Sequence, residues 1–136
     1  MQSRPLGNSG IEASVIGLGA WAIGGWSWGG NDQKDSISAI HAAMDSGITL
    51  IDTAPIYGMG LSEEIVGEAL TGKRSQAVLA TKCGLRWDDA HGEFVFNDGT
   101  HDIYRSLRPE SINLEIENSL KRLNTDVIDL YQTHWQ

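Results

Sequence analysis

The sequence is poor in cysteine, poor in basic side chains and without any long apolar run, and each scarcity removes a class of reading. Cys83 is the only cysteine in 136 residues. No internal disulfide can form, so a stapled secreted module is excluded and a reducing compartment is the natural setting. No stretch approaches the roughly 18 apolar residues of a membrane span. No charged-then-apolar leader opens the chain either, so a soluble cytoplasmic protein is expected. Lys and Arg number 10 against 18 Asp and Glu, a formal net charge of −8. Binding to a nucleic-acid backbone rests on clustered cations, and the basic residues form no cluster beyond the pairs Lys73-Arg74 and Lys121-Arg122, the latter at the end of a predicted helix, where cations offset the macrodipole. The acidic residues are spread along the chain and read as a solvated surface.

What is present is enough for one domain over residues 1–136, with 40% hydrophobic residues to supply a core. Four strand candidates alternate with three helix candidates. The strands are 15–19, 49–52, 77–81 and 127–132, near-continuous apolar runs of the kind buried on both faces. The first helix is predicted from about Asp32 to Ser46, with Ile37, Ile40 and Met44 on one face and Gly47 as its stop. The second opens at Ser62 as N-cap, with Glu63 and Glu64 in the first turn, where acids suit the dipole. The third starts at Pro109, a residue favoured at the first helical position, and is expected to bury Ile112, Ile116, Leu120 and Leu123. Between the third strand and this helix lies a long polar stretch, 83–107, read as a loop. Ahead of the first strand, Arg4-Pro5-Leu6 and Ile11-Glu12-Ala13 flank Gly7-Asn8-Ser9-Gly10, a β-hairpin pattern suited to plugging one end of a sheet.

Strand-helix alternation means a parallel sheet. Gly17-Leu18-Gly19-Ala20-Trp21-Ala22 fits the dinucleotide fingerprint GxGxxG/A, which requires a helix to open in that turn. Nine residues rich in Gly and Trp separate Ala22 from the predicted helix, so a doubly wound fold is disfavoured against a barrel. In a parallel barrel the carboxyl ends of the strands open on one face, where active sites are built. Asp52 ends Thr49-Leu50-Ile51-Asp52, and Tyr57 lies in the turn after it. Lys82 follows Ala77-Val78-Leu79-Ala80-Thr81, and His134 follows Leu130-Tyr131-Gln132-Thr133. An acid, a phenol, an amine and an imidazole would converge there. Hydride addition to a carbonyl leaves negative charge on oxygen, and a phenol with a pKa of about 10 is a weak acid. A neighbouring ammonium stabilises the phenolate, and a carboxylate can anchor the ammonium. Tyr57 as acid, Lys82 as tuner and Asp52 as anchor form such a relay, with His134 to orient the carbonyl. Taken singly, each has a plainer use: a turn cap, a half-buried ring, a solvated amine, a core imidazole.

Other clusters carry less. Cys83, His91 and His101 lack metal-ligand spacing, and no metal is expected. Cys83 beside Lys82 is read as a small barrel-lining residue rather than an activated thiol. The Trp-rich segment Gly24-Gly25-Trp26-Ser27-Trp28-Gly29-Gly30 could stack bases, but the basic groove that such binding needs is missing. A substrate wall is the better use of those rings.

Several stretches, taken in order, resemble the amino-terminal part of an aldo-keto reductase. They are Gly17-Leu18-Gly19-Ala20-Trp21, Asp52-Thr53-Ala54-Pro55-Ile56-Tyr57-Gly58, Ser62-Glu63-Glu64-Ile65-Val66-Gly67, Ala80-Thr81-Lys82, Ser119-Leu120-Lys121-Arg122-Leu123 and Asp129-Leu130-Tyr131-Gln132-Thr133-His134-Trp135. They look closest to the general-stress-protein-like members and the potassium-channel β subunits. The resemblance implies an α/β fold of the (β/α)8 TIM-barrel type, here with only the first four strands and three helices, preceded by the hairpin. It implies NADPH-dependent reduction of an aldehyde or ketone, with the catalytic roles on Asp52, Tyr57, Lys82 and His134. Cofactor contacts would fall on Ala20, Trp21 and Asp52, and the substrate wall on Trp21, Trp26 and Trp87, with Trp28 a further candidate. A full barrel has eight strands in about 250 residues, and the family's remaining nicotinamide contacts belong to the half not seen here. The expectation is that a 136-residue monomer does not close a normal site and that an oligomer or a complementing carboxy-terminal half supplies the rest. The rival expectation is a truncated or regulatory chain that keeps part of the cofactor fold without turnover.

Overall fold

The computed structural model describes residues 1–135. The chain opens with β1 (Ser3–Pro5) and β2 (Glu12–Ser14), antiparallel, with Ser3 opposite Ser14 and Pro5 opposite Glu12. The expected hairpin therefore forms. Ser14 ties it to the start of a later strand: its Oγ accepts from the backbone N–H groups of Thr49 (2.9 Å) and Leu50 (3.1 Å). There follow β3 (Gly17–Gly19), α1 (Gln33–Asp45), β4 (Leu50–Asp52), α2 (Leu61–Ala69), β5 (Val78–Cys83), β6 (Leu85–Arg86), β7 (Glu93–Asn97), β8 (Asp102–Arg105), α3 (Pro109–Arg122) and β9 (Leu130–Thr133).

β3, β4, β5 and β9 form one parallel sheet in that order, with helices in the crossovers between them. All four carboxyl ends consequently open on one side, opposite the Ser14 anchor. After β3 the chain makes a single 3-10 turn, Ala22–Gly24, and no α-helix starts until Gln33. The dinucleotide-fingerprint geometry is absent, as the spacing indicated. Asp32 caps α1 by accepting from the Asp35 N–H at 2.9 Å. Ile40, Ile51, Ile65, Val66, Leu79 and Leu123 form the core between sheet and helices, each side chain contributing about 1.5–3 kcal/mol by leaving water. Among the described residues no helix is long and apolar enough to cross a membrane.

Three local expectations are corrected. Ser62 is not the N-cap of α2. Gly60 takes that place at φ +98°, and Ser62 lies inside the first turn, fully buried. Its hydroxyl donates to the Ala20 carbonyl (2.8 Å) and pairs with the Thr53 hydroxyl (2.9 Å), so tertiary hydrogen bonds outcompete capping. The stretch 83–107 is not a plain loop. It carries an antiparallel sheet of order β6-β8-β7, with Leu85 and Ile103 packed on Ala54 and Ile56. Finally, α3 turns a polar face inward. Ser111, Glu115 and Ser119 are buried, whereas Ile112, Ile116 and Leu120 are only half-buried and Leu123 alone is fully inside. The reason is visible in the bonds: Glu115 accepts from the Gly84 N–H (2.7 Å) and the Ser111 hydroxyl (3.0 Å).

Candidate active site

Sheet register decides which side chains share the open end. Gly19, Asp52, Ala80 and Leu130 lie level across the four strands, and Lys82 lies level with Gln132. Residues two apart on a strand face the same way, so Asp52, Lys82, Gln132 and, just past β9, His134 rise as a staircase on one face. Tyr57 joins them from the turn after β4, where its N–H donates to the Ala54 carbonyl at 3.1 Å. That turn is seated by a backbone crossing: a Cβ on Gly58 would stand 2.1 Å from the Gly24 carbonyl oxygen, and one on Gly24 would stand 2.5 Å from the Tyr57 carbonyl carbon. Only glycine fits at both places.

Lys82 is the hub. Its Nζ donates to Asp52 Oδ2 (2.8 Å), to the Thr53 carbonyl (2.8 Å) and to Tyr57 Oη (3.2 Å). It also stands 4.9 Å from the centre of the phenol ring. The ammonium side chain is 13% exposed and its carboxylate partner 34%, so the pair is screened on one side and open on the other. Asp52 Oδ1 accepts from Gln132 Nε2 at 3.3 Å. His134 packs edge-on against Tyr57, with ring centres 5.7 Å apart. Burial, with the Lys82 charge adding to it and Asp52 opposing, lowers the imidazole pKa to about 4. The ring is therefore neutral at physiological pH and keeps one N–H to donate.

The structure thus brings Asp52, Tyr57, Lys82 and His134 together. It places Ala20 beside them, fully buried, its N–H donating to the Asp52 carbonyl at 2.8 Å. Trp21 is 46% exposed, its ring lies 6.3 Å from Tyr57, and Trp28 meets it edge-on at 5.5 Å. Trp26 stacks on Phe96 of β7 at 5.8 Å, and Phe96 contacts Trp135, which contacts His134. Trp87 packs on the same Ala54, Ile56, Leu85 and Ile103 cluster as Tyr57 and Phe96. The Arg122 guanidinium lies over its ring at 5.8 Å, and among the described residues no ring contact joins it to Tyr57 or His134.

Gln132, the Thr53 carbonyl and Phe96 escaped the sequence reading. A backbone carbonyl leaves no signal in a sequence. The period-two position of Gln132 relative to His134 could have identified it as a same-face neighbour, and Phe94-Val95-Phe96 could have signalled a strand inside the polar stretch. Cys83 is buried, and burial together with Glu115 pushes its thiol up, away from reactivity. His91 and His101 are held by Asp89 and Asp98, their own neighbours in the connections before β7 and between β7 and β8. His41 serves packing, its Nε2 bonded to the Ala69 carbonyl at 2.8 Å.

Comparison with known proteins identifies the family and the fold. The aldo/keto reductase family model matches residues 15–136. The chain is 54% identical to the aldo-keto reductase YhdN of Bacillus subtilis over 137 residues, covering 99% of this chain and 38% of that protein. It is 48% identical to an NADH-specific methylglyoxal reductase of Escherichia coli over 139 residues, covering 100% of this chain and 42% of that protein. Among solved structures, a glycerol dehydrogenase from Gluconobacter oxydans superposes with a TM-score of 0.82 at 46% identity, covering 98% of this chain and 39% of the other. The chain therefore spans about two fifths of the length of the relatives it matches, and its parallel sheet is part of a (β/α)8 barrel. By family match, identity and fold, this chain belongs to the aldo/keto reductase family.

Proposed function

We propose that the protein carrying this chain reduces an aldehyde or ketone to an alcohol, with a nicotinamide dinucleotide as hydride source. The observation that carries the reading is the three-way contact of Lys82 Nζ with Asp52, the Thr53 carbonyl and the Tyr57 phenol, all within 3.2 Å. The strand ends fit a nicotinamide ribose: Ala20 and Asp52 stand side by side, the exposed Trp21 ring flanks them, and a Cβ placed on Gly19 meets no atom within 4 Å. When bound, the dinucleotide supplies the hydride.

The chain's own residues handle the proton. As charge develops on the carbonyl oxygen, Tyr57 gives up its phenolic proton, and the adjacent ammonium of Lys82 stabilises the phenolate left behind. Asp52 and the Thr53 carbonyl hold that ammonium against the phenol. His134, neutral and half-buried, donates its N–H to orient the carbonyl without adding a cation that would repel Lys82. Trp21 lies beside Tyr57 on the open side, where an apolar substrate body would rest, and Trp26 with Phe96 extends that wall. Trp87 packs on the same Ala54, Ile56, Leu85 and Ile103 cluster as Tyr57 and Phe96 and stays in this reading as the outer part of the wall, with Arg122 on its ring.

NADPH is our reading of the cofactor, since two solved structures of aldo-keto reductase from Klebsiella pneumoniae, 32% and 30% identical to this chain, hold NADP and NADPH. The Escherichia coli relative makes NADH the rival. The remaining length of the relatives would supply the strands that pair with the outer edges of β3 and β9 and complete the site. The test is turnover of short aldehydes with each dinucleotide. Faster turnover with NADPH is the expected result. Preference for NADH would replace the cofactor and leave the relay intact. Saturable dinucleotide binding with no turnover of any carbonyl would favour the rival, a regulatory binding chain.

A further inference from the structure

The residue that the relay does not yet explain is Gln132. It stands on β9 level with Lys82 on β5, yet its carboxamide reaches back to Asp52 on β4. Ala80 lies level with Asp52 between them, and its single methyl leaves the space for that reach. The two oxygens of Asp52 are consequently shared out: Oδ2 to Lys82 at 2.8 Å and Oδ1 to Gln132 at 3.3 Å. The terminal torsion of an aspartate is broad, so a carboxylate held by one oxygen alone can turn. Held by both, from two different strands, its plane is fixed. The four-carbon stem of lysine is flexible and its ammonium has three donors. The direction in which Oδ2 points therefore sets where Nζ sits relative to the phenol.

We propose that Gln132 is a positioning residue for the Asp52–Lys82 pair, donating to Asp52 Oδ1 so that the ammonium is held within reach of Tyr57. The inference rests on the reductase reading above. It differs from a space-filling role in what an isosteric acid would do at this position. The titratable groups around position 132, among the described residues, are Asp52 from β4, Tyr57 from the following turn, Lys82 from β5 and His134 from beyond β9. An ionised Gln132→Glu side chain would repel Asp52 and draw Lys82 away from the phenol. Once protonated, it could donate to Oδ1 as the amide does.

The experiment uses the protein as its gene encodes it. Gln132→Leu is expected to lower kcat about tenfold while the dinucleotide KM stays within about twofold, because the interaction lost acts through another residue. Gln132→Glu is expected to fall similarly at about pH 8 and to recover towards the parent as pH drops to about 5. A variant-to-parent ratio that stays flat across that range, or an unaltered kcat in Gln132→Leu, overturns the proposal. Tyr57→Phe is run beside them. If it keeps parental turnover, the relay reading itself fails; if it is inactive while the Gln132→Glu ratio is flat, only the Gln132 inference fails. A second readout needs no turnover. In protein labelled with 15N-glutamine, the Gln132 side-chain amide should exchange slowly in the parent and faster in Asp52→Ala, and equal exchange in the two would contradict the bond.

Discussion

Two ion pairs in this chain have nearly the same length and opposite surroundings. Lys82 meets Asp52 at 2.8 Å, and Arg122 meets Glu63 at 2.6 Å. Glu63 is 0% exposed, with one oxygen on Arg122 and the other taken by the Thr81 hydroxyl at 2.6 Å. That pair ties α2, β5 and α3 together, and both carboxylate oxygens have partners. Asp52 sits at an open strand end, and the third donor of its lysine goes to a phenol that can lose a proton. Thr81 and Lys82 are neighbours on β5 and face opposite sides of the sheet, so one strand serves both pairs. A charge pair saturated inside the helix layer fixes geometry, whereas a pair facing the open end with a labile third partner can do chemistry.

Substitution at either pair separates the two roles. The largest effect is expected from Lys82→Met, which removes the charge beside the phenol: kcat should fall by about 10²–10⁴, the range of a positioned acid-base group, with the thermal midpoint moved by only a few degrees. A collapse of the midpoint instead would put Lys82 among the struts. Glu63→Ala should do the reverse. Leaving Arg122 and Thr81 without their acceptor is expected to cost about 3–5 kcal/mol in a denaturant titration, and the molecules that remain folded should keep near-parental turnover. If Glu63→Ala unfolds no more easily than the parent, the strut assignment is wrong. The smallest effect concerns pH. His134 has a folded value of about 4 against an ordinary value of about 6.5, so between these limits the unfolded chain binds more protons. Stability from this group is complete above about 6.5 and is lost as pH falls towards about 4. Parent and His134→Gln should therefore diverge in their stability slopes across that window, and parallel slopes would show the imidazole to be solvated.

Much of the convergence of side chains was legible because each of Asp52, Lys82 and His134 follows an apolar run, and a parallel fold gathers strand ends. The hairpin was legible from its glycine-centred turn. Ser62 misled because a serine before an acidic first turn reads as a cap, while its hydroxyl is drawn instead to Ala20 and Thr53. The face of α3 misled because its apolar stripe is evident and the pull of the Gly84 N–H on Glu115 is not. The sheet in 83–107 was hidden by short strands, the glycines Gly92 and Gly99, and an irregularity between Phe94 and Phe96, which together erase the alternation. Gln132 was missed because a neutral amide draws attention only when its partner is known.

Tyr57 is proposed to deliver the proton and not merely to line the site. Its most direct test measures dinucleotide affinity and single-turnover carbonyl reduction in parent and Tyr57→Phe, which differ by one oxygen. Affinity is expected to stay within about twofold and reduction to slow by about 10² or more. Parallel loss of both, or reduction at the parental rate, would contradict this role.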